Sequence, residues 1–473
     1  MSAPEKSGHG LKKKLHLSDL VLMQILLVVG IPWAGIAARQ GGVHVVFWLA
    51  GALLFFLPSA AVVSFCAKLW PEEGGVYQWV KHACGPFAGF LSGWNLYLWA
   101  LLTASNVGIV TASGLSYALG PSAAWMAESK TWMVGLTVGS FAIIWLVNVR
   151  GLGVTRWISH FGTCVTIGVT LLLTILLFLH PHARPAHPHV SPQKPFSFAF
   201  PMLTLVTLNL FAKMSFHSFG GLEQVAVFAG ETRNPGKIIL RSAWIAAPLC
   251  ALIYILLTGS LLTYIPAEHI DLIAPIPQVL SAAFGSAAAD HTINVGVLAG
   301  RATVLLLAIA LVCQYVVIVA EASRLSMVAG WDNIMPARFT QLHPRWKTPV
   351  WSISIMVLLA MLLGLCTIAG SGNQEAFQVL TEASSLCFGI YYLLMLLVPL
   401  FMGRRFSMRP AWWLRVAVIS AASITLMAIA FTLVPIVPVP SKWIFAGKIV
   451  AVTFVLNAIA GVIYFRNRQS PVI

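Results

Sequence analysis

Twelve stretches of mainly apolar residues, each about as long as a bilayer-spanning helix, constrain this chain more than any other feature. A helix needs about 20 such residues to cross the hydrocarbon core of a membrane. Backbone N–H and C=O groups must find partners within the protein in lipid, so helices are the default structure. The predicted spans cover residues 17–38, 43–66, 85–119, 131–149, 157–180, 200–229, 240–265, 291–326, 348–370, 378–402, 413–436 and 442–465.

The composition agrees with this interpretation. Hydrophobic residues make up 59% of the chain, whereas charged residues make up only 9%. A soluble domain carries roughly 25% charged residues, so this chain has too few to cover a water-exposed surface. A soluble enzyme, a disordered chain and a fibrous protein are therefore excluded, and we predict an all-α polytopic membrane protein.

The lysines and arginines predict how the chain is oriented. If the amino terminus is cytoplasmic, 21 of the 29 basic residues lie on the inner side and six on the outer side. Cytoplasmic loops of membrane proteins carry the excess of such residues. We therefore predict a multi-pass protein of the cell (inner) membrane with both termini cytoplasmic. The net charge of +15 is assigned to contact with an anionic lipid bilayer, and no nucleic acid partner is expected.

The spans follow one another without a soluble domain. We predict a cytoplasmic tail at 1–16, helices 1–5 within 17–180, an extracellular loop at 181–199, helices 6–10 within 200–402, and helices 11–12 with a short cytoplasmic tail at 403–473. The loop is rich in proline and has His180, His182, His187 and His189 in or beside it. The prolines favour a flexible linker over a metal site. No metal and no cofactor are expected.

Two spans contain helix-breaking residues near their middle. The stretch Gly30-Ile31-Pro32-Trp33-Ala34-Gly35 interrupts span 1, and Phe219-Gly220-Gly221-Leu222 interrupts span 6. Proline lacks an amide donor, and glycine tolerates non-helical backbone angles. Each break alone could be an ordinary kink. Spans 1 and 6, however, each begin a set of five helices, and matching interruptions in two repeats indicate a transporter site at the membrane midplane.

The chemistry of an unwound helix suggests a ligand for this site. Backbone groups that lose their partners in hydrocarbon are costly unless a ligand, an ion or water completes their hydrogen bonds. A half-helix beginning near Trp33 to Ile36 would offer amides to a carboxylate. The carbonyls from Phe216 to Phe219 would suit an ammonium group. A molecule that carries both charges is an amino acid.

Three stretches resemble the amino acid–polyamine–organocation superfamily of transporters, over nearly the whole chain. They are the interrupted span 1 followed by Pro71-Glu72-Glu73-Gly74-Gly75-Val76-Tyr77; the break Phe219-Gly220-Gly221-Leu222-Glu223 followed by Glu231-Thr232-Arg233-Asn234-Pro235; and Ser323-Arg324-Leu325 followed by Ile334-Met335-Pro336, His343-Pro344-Arg345 and Thr348-Pro349-Val350. The resemblance implies twelve transmembrane helices. Ten form a 5+5 inverted-repeat core with helices 1 and 6 interrupted, and two are peripheral.

The resemblance also implies secondary active transport, by symport or exchange, of amino acids through alternating access. The stretch Glu72-Glu73-Gly74-Gly75-Val76 is similar to the bacterial glutamate/γ-aminobutyrate antiporters. Some proton-coupled relatives carry a lysine within span 5, which 157–180 lacks. The coupling partner is therefore left open between H+, Na+ and a counter-substrate.

By this resemblance, substrate-binding residues are expected at both breaks and in span 7. They are Ile31, Trp33, Ala34, Gly35 and Ile36 for the carboxylate; Phe216, Phe219, Gly220, Gly221 and Leu222 for the amino group and an aromatic gate; and Tyr254. Tyr254 could equally form an interhelical hydrogen bond. The indole of Trp33 stands where the family usually has a small residue, which predicts a narrower pocket.

Ionisable residues inside spans are candidate functional groups by default. Glu223 is expected either to accept hydrogen bonds from amides freed by the break or to act as a coupling group. Lys213 could reach the interface as a snorkelling side chain or line the outer vestibule. Glu321 could form a gating salt bridge with Arg324 or a span 1 neighbour, or a plain helix-end pair.

Two other classes of function are weighed against a transporter. A membrane-embedded transferase would be expected to show clustered His/Asp residues or paired acids at a membrane face, and the sequence shows no such cluster. A nutrient sensor built on a transporter fold would be expected to carry a signalling domain, for which the predicted tails are short. The sequence therefore predicts a transporter and not an enzyme.

Overall fold

The computed structural model describes residues 11, 13–179, 194–270, 275–284, 295–370, 373–405, 410–434 and 441–468. Regular structure within these residues is helical, apart from one isolated bridge between Leu15 and Thr232. Most of the predicted tail 1–16 and of the extracellular loop, including its four histidines, lies outside the described residues. The proposed division into domains stays a prediction.

Seventeen α-helices occur in the described residues. They are α1 Leu17–Val28, α2 Ile31–Ala38, α3 His44–Gly51, α4 Leu57–Leu69, α5 Val76–Cys84, α6 Pro86–Ala104, α7 Val107–Leu119, α8 Lys130–Arg150, α9 Leu152–Leu179, α10 Leu205–Phe219, α11 Pro235–Tyr264, α12 Pro275–Ala283, α13 Val295–Trp331, α14 Val350–Gly370, α15 Asn373–Arg405, α16 Trp412–Thr432 and α17 Lys442–Arg468. A π-helical turn, Ala52–Phe56, joins α3 to α4, and 3-10 turns cover Gly41–Val43, Pro121–Ala127, Gln224–Glu231, Ala267–His269 and Ala337–Thr340.

Ten helices in the described residues are long and apolar enough to cross a membrane, or eleven if the bent pair of α1 and α2 is one span. The ten are Gly41–Leu69, Pro86–Leu119, Lys130–Arg150, Leu152–Phe178, Pro235–Tyr264, Val297–Trp331, Val350–Ala369, Val379–Met402, Trp412–Thr432 and Lys442–Asn467. The prediction of an all-helical polytopic membrane protein is therefore confirmed. Twelve spans and the inverted repeat are finer statements that these lengths leave open.

The sixth predicted span, 200–229, is divided into short pieces. Its first helix, α10, begins only at Leu205, where the Thr204 side chain accepts a hydrogen bond from the Thr207 amide at 3.2 Å. It has 15 residues, and the 3-10 segment Gln224–Glu231 that follows the break has eight. Neither piece alone has the roughly 20 residues that a crossing requires. Helix length therefore does not identify this span, and its crossing of the membrane stays a prediction.

The interrupted spans lie in the centre of the helix bundle. Helix α1 packs against α9, α11 and α13, whereas α10 packs against α2, α3 and α16. The buried hydrophobic side chains on these helices belong to one continuous core cluster. Backbone freed at either break is therefore surrounded by protein and not by lipid, which is the condition under which irregular backbone is tolerated at membrane depth.

A glycine turn followed by the short helix α5 lies after span 2. Gly74 and Gly75 adopt φ angles of +93° and +46°, which favour glycine. The Gly74 amide donates to the Val227 carbonyl at 3.1 Å, and a Cβ atom on Gly75 would collide with the Ala226 backbone. The turn therefore packs directly on the 3-10 segment that follows the span 6 break. Helix α5 begins immediately after it, at Val76.

Candidate functional site

The break in span 1 separates two helices whose axes differ by 54°. Helix α1 ends at Val28 and α2 begins at Ile31. The Tyr254 hydroxyl donates to the Val28 carbonyl at 2.7 Å and accepts from the Gly30 amide at 2.8 Å. The interhelical hydrogen bond considered for Tyr254 is thus confirmed, and it joins α11 to unwound backbone. Contact between Tyr254 and a substrate stays a prediction.

Helix α2 begins two residues earlier than the sequence suggested. Its cap is Gly30 and its second residue is Pro32, which has no amide hydrogen. The Trp33 amide donates to the Gly30 carbonyl at 3.2 Å. Residues 34–36 lie farther along the helix, where amides take part in the helical hydrogen-bonding pattern. The expectation that amides from Trp33 to Ile36 form the open helix end is therefore wrong; that end lies at Gly30 and Ile31.

The Trp33 side chain lies over the break and faces span 6. A Cβ atom on Gly30 would collide with the indole, which places the ring directly on the unwound backbone. The indole stacks on His217 of α10, with ring centroids 4.5 Å apart and planes inclined by 18°. The His217 ring is fixed in turn by hydrogen bonds with the Lys213 carbonyl at 2.9 Å and the Ser385 hydroxyl at 2.6 Å. Trp33 therefore joins the two interrupted spans.

Two glutamines that sequence reasoning missed supply further donors to the breaks. Gln314 of α13 donates to the Leu26 and Leu27 carbonyls at 2.7 and 3.3 Å. Gln24 of α1 donates to the Leu222 carbonyl at 2.8 Å and thereby connects one break to the other. The available signal was a glutamine inside an otherwise apolar span, because a buried amide is costly unless it is hydrogen-bonded.

The break in span 6 lies where the sequence predicts it. Helix α10 ends at Phe219, and Gly221 has a φ angle of +119° that favours glycine. The Phe216 carbonyl, expected to be open to an ammonium group, accepts the Gly220 amide at 3.0 Å. The Leu222 carbonyl is occupied by Gln24. The break is confirmed, but these two carbonyls are not open in this conformation.

Aromatic rings surround the break in span 6. The Phe219 ring stacks on Phe56, with ring centroids 4.4 Å apart. It makes T-shaped contacts with Trp48 and Tyr254, whose ring centroids lie 5.3 and 5.9 Å away. Both Phe216 and Phe219 are completely buried. These contacts make the surroundings of the break apolar. The gating role expected for these rings stays a prediction.

Glu223 follows the break and is fully buried. Its Oε2 atom accepts the Gly221 amide at 3.3 Å, and its Oε1 atom accepts the hydroxyl of Tyr391 on α15. The prediction that Glu223 accepts a hydrogen bond from an amide freed by the break is confirmed. Participation of this carboxylate in coupling stays a prediction.

Glu321 of α13 does not form the predicted salt bridge with Arg324. The Arg324 guanidinium Nε instead donates to Glu231 Oε1 at 2.9 Å, because Glu231 approaches it from the end of the 3-10 segment. Glu321 is fully buried, and neither of its carboxylate oxygens has a hydrogen-bond partner among the described residues. A plain helix-end pair is excluded by the same observation.

Lys213 is buried and paired. Its ammonium group lies 2.7 Å from the Glu382 carboxylate and 3.3 Å from the Val434 carbonyl, and only 1% of the residue is exposed. The expectation of a snorkelling side chain is therefore wrong, because the charge is neutralised inside the protein. If Lys213 lines the outer vestibule, its charge is already paired with Glu382 and is not open to a substrate.

A second cluster of charges lies between the turn after span 2 and the end of the 3-10 segment. Glu73, Glu231 and Arg324 form it, and we call it the Glu73 cluster. Glu73 Oε2 accepts the Gly230 amide at 2.5 Å. Burial, followed by the negative charge of Glu231, raises the pKa of Glu73 well above its usual value, whereas Arg324 and the Gly230 amide act in the opposite direction. No group of three or more potential metal ligands of the His, Cys, Asp or Glu type occurs in the described part of the chain.

Comparisons with known proteins agree with this arrangement. The family model described as "Amino acid permease" matches residues 15–457. An uncharacterized transporter of Legionella pneumophila is 24% identical over 390 residues, which cover 81% of this chain and 80% of that protein. The low-affinity putrescine importer PlaP of Escherichia coli K12 is 25% identical, with 76% of each chain covered. The branched-chain amino acid permease BcaP of Bacillus subtilis is 23% identical, with 79% of this chain and 80% of that protein covered.

Proposed function

The chain belongs to the amino acid permease family, whose model matches residues 15–457, and from this premise we propose that it carries amino acids by secondary active transport. Membership makes it a multi-pass membrane transporter and not an enzyme. The proposal extends this to alternating access, in which the two interrupted spans open toward one side of the membrane at a time.

The meeting of the two breaks is the observation that carries the proposal. The Gln24 side chain on span 1 binds the Leu222 carbonyl on span 6, and Trp33 of span 1 stacks on His217 of span 6. Unwound segments of two spans thus lie side by side at membrane depth. Tyr254 holds the first break from α11, and Tyr391 reaches the second from α15 through Glu223. Such paired discontinuities are typical of midplane transport sites.

The proposed topology has twelve crossings. Ten form a 5+5 inverted repeat that begins at α1 and at α10, and two are peripheral. Support comes from the positions of the breaks, since each lies in the first span of a set of five. The excess of lysine and arginine in alternate connections supports an inner-membrane location with both termini cytoplasmic.

The proposed substrate is a small amino acid bound between the breaks. Its carboxylate would face the start of α2 at Ile31, where the helix dipole is positive, since the Gly30 amide already donates to Tyr254. Its amino group would lie near Gly220 and Gly221. A preference for acidic side chains, as in the glutamate/γ-aminobutyrate branch, gains no support from Lys213, which is paired with Glu382. The names of PlaP and BcaP bring putrescine and branched-chain amino acids into the first substrate panel.

Counterflow in proteoliposomes tests the proposal. Vesicles containing the purified protein would be loaded with one unlabelled compound and supplied outside with its labelled form. The panel would include branched-chain, aromatic, acidic and basic amino acids and putrescine. We expect labelled amino acid to accumulate transiently above the level in protein-free vesicles. Exchange of putrescine alone, or no exchange under any pH or sodium gradient, would overturn the assignment of amino acids.

A matched pair of glycine variants would tie the activity to the break. Gly221 has a φ angle of +119°, so Gly221→Ala strains the backbone there. Gly139 lies in α8 with open space where a Cβ atom would be added. We expect Gly221→Ala to lose most counterflow and Gly139→Ala to resemble wild type. Equal counterflow by the two variants would show that transport does not depend on the geometry of the break.

A further inference from the structure

A crevice between four helices lies apart from the two interrupted spans. Its volume is about 130 Å³, and its lining side chains are mostly apolar or aromatic. We call it the α14–α17 crevice, and its walls include Trp94 of α6, Ala329 of α13, Ile355 and Leu359 of α14, and Ile463 of α17. An engineered apolar cavity of about 150 Å³ binds benzene. The crevice therefore has the size and the lining to hold a segment of hydrocarbon.

The crevice opens toward the lipid-facing surface at α14. Leu359 is 43% exposed, whereas Ile355 and Ile463 beside it are half-buried. Helices α14 and α17 each pack against α6, which forms the back wall between them. A hydrocarbon chain can therefore enter from the bilayer past Leu359, without passing through the centre of the bundle.

Hydrogen bonds hold the walls of the crevice in place. The Trp94 indole donates to the Leu456 carbonyl at 3.0 Å and so ties α6 to α17. The Asn467 side chain donates to the Ile334 carbonyl at 2.7 Å and ties the end of α17 to the turn after α13. A preformed site avoids the cost of ordering side chains when a ligand binds.

Two arginines lie at one end of the crevice. Arg338 directly precedes Phe339, which lines the crevice, and its guanidinium lies 5.7 Å from the centroid of the Trp351 ring on α14. Arg466 follows Ile463 by three positions on α17, a spacing that places both on one helix face. Both arginines are exposed, and neither forms an ion pair with a described carboxylate.

The acid beside this end of the crevice is already neutralised. Tyr77 lines the crevice, and its hydroxyl donates to Asp332 at 2.6 Å. The Lys81 ammonium group lies 2.5 Å from the same carboxylate. The charges of Arg338 and Arg466 are therefore left for a ligand. This end lies on the side that the sequence predicts to be cytoplasmic, where the membrane leaflet is rich in anionic lipid.

We propose that the α14–α17 crevice binds one acyl chain of an anionic phospholipid, whose phosphate lies between Arg338 and Arg466. Basic pockets between transmembrane helices on the cytoplasmic side bind acidic head groups, and a guanidinium matches the geometry of a phosphate. The apolar walls give a free phosphate nothing to contact. A zwitterionic lipid gains less from the two arginines. The site is separate from the proposed transport site and does not depend on which substrate is carried.

Native mass spectrometry of the purified protein in detergent tests the acyl-chain site. The probe is dioleoylphosphatidylglycerol, compared with dioleoylphosphatidylcholine. We expect wild type to retain a single phosphatidylglycerol at concentrations where phosphatidylcholine is lost. Leu359→Trp places an indole at the mouth of the crevice and should abolish this retention. The control is Leu358→Trp, because Leu358 is 44% exposed on the same helix and does not line the crevice. Equal retention by the two variants would overturn the site.

A second comparison tests the head group. The double variant Arg338→Gln with Arg466→Gln should weaken phosphatidylglycerol binding on the order of ten-fold, because each arginine near the surface attracts anionic lipid. Arg415→Gln, at an exposed arginine of α16, should bind as wild type does. Lysophosphatidylglycerol should compete for the site, whereas glycerol phosphate should not. Undiminished affinity in the double variant, equal binding of the two lipids by wild type, competition by glycerol phosphate, or a second copy of the chain in place of the lipid would each overturn the proposal.

Discussion

The Glu73 cluster and the carboxylates of Glu223 and Glu321 are both buried and acidic, but only the Glu73 cluster contains a cation among the described residues. In the Glu73 cluster, Arg324 donates to Glu231 at 2.9 Å and its charge also reaches Glu73. Glu223 accepts bonds from the Gly221 amide and the Tyr391 hydroxyl, whereas Glu321 has no hydrogen-bond partner among the described residues. Both sets of charges include a residue on α13 and a residue at or beside the 3-10 segment Gln224–Glu231.

The difference separates carboxylates that have a nearby cation from carboxylates that have none among the described residues. Taking a carboxylate out of water costs several kcal/mol, which a well-placed cation can offset. In the Glu73 cluster Arg324 supplies part of that offset, because one guanidinium group faces two carboxylates. Glu223 and Glu321 form no ion pair among the described residues, and Glu223 accepts hydrogen bonds from the Gly221 amide and the Tyr391 hydroxyl instead. Removal of Arg324 should therefore lower the stability of the fold.

The largest effect is expected from Arg324→Met. This substitution leaves Glu231 and Glu73 buried with no compensating charge. Breaking a buried ion pair from one side typically costs about 3–5 kcal/mol, and we expect a loss of stability in that range. The measurement is the denaturant midpoint of the purified protein in detergent, together with its abundance in the membrane.

The control for Arg324 is Arg415→Met, because Arg415 is exposed on α16. It should change the midpoint little. A double variant, Arg324→Met with Glu231→Met, should recover part of the lost stability because it removes both partners. If Arg324→Met were as stable as Arg415→Met, Arg324 would not compensate the carboxylates of the Glu73 cluster.

Lys213→Met tests a second compensated pair and should have a somewhat smaller effect. It leaves the Glu382 carboxylate unpaired, but 13% of that side chain is exposed and can be partly solvated. We expect a loss near the lower end of the range for buried pairs, about 3 kcal/mol. The same denaturant midpoint measures it, with exposed Lys442→Met as the control. Near-complete rescue by adding Glu382→Met is expected, and a further loss would contradict the pairing.

Tyr254→Phe tests a buried hydrogen bond between uncharged groups, for comparison with the two ion pairs. The variant removes one hydroxyl that both accepts from Gly30 and donates to Val28. Leaving a buried polar group unsatisfied costs about 1–3 kcal/mol. We expect a loss of stability in that range and a larger proportional loss of counterflow. Tyr97→Phe is the control, and equal effects of the two variants would show that the break does not depend on Tyr254.

Much of the helical architecture follows from the sequence because it depends on local composition. Apolar runs and the Gly30–Pro32 and Gly220–Gly221 breakers determine where helices run and where they end. The turn at Gly74–Gly75 was predictable for the same reason. The hydrogen bond from the Gly221 amide to Glu223 could also be predicted, because a break frees amide donors close to it in the sequence.

Partners that come from distant spans could not be predicted. The ion pairs of Lys213 with Glu382 and of Arg324 with Glu231 join residues 169 and 93 positions apart. Sequence spacing favoured Arg324 for Glu321 because the two lie three residues apart on one helix. Tertiary packing instead turned Arg324 toward the 3-10 segment. The glutamines that cap the breaks were missed because their role depends on which carbonyls the bundle brings to them.

The smallest expected effect is that of Glu73→Gln, which tests whether the Glu73 cluster is fully compensated. It holds two carboxylates against one guanidinium, and the Oε1 atom of Glu73 has no described hydrogen-bond partner. The pKa of Glu73 is raised by burial first and by Glu231 second. The folded protein therefore binds a proton on Glu73 at pH values where the unfolded chain, with a Glu pKa of about 4.3, has lost it.

The sign of the pH dependence follows from this difference. Stability increases with pH where the unfolded state binds more protons, and here the folded state binds more. The contribution of Glu73 should therefore be complete below a pH of about 4.3 and should decline as the pH rises toward the raised value. Glu73→Gln should remove this decline and make the protein more stable than wild type at neutral pH, because glutamine carries no charge at that position. Thermal unfolding across this pH range measures it. The exposed neighbour Glu72→Gln should leave the decline in place, and an unchanged slope in Glu73→Gln would show that Arg324 compensates both carboxylates.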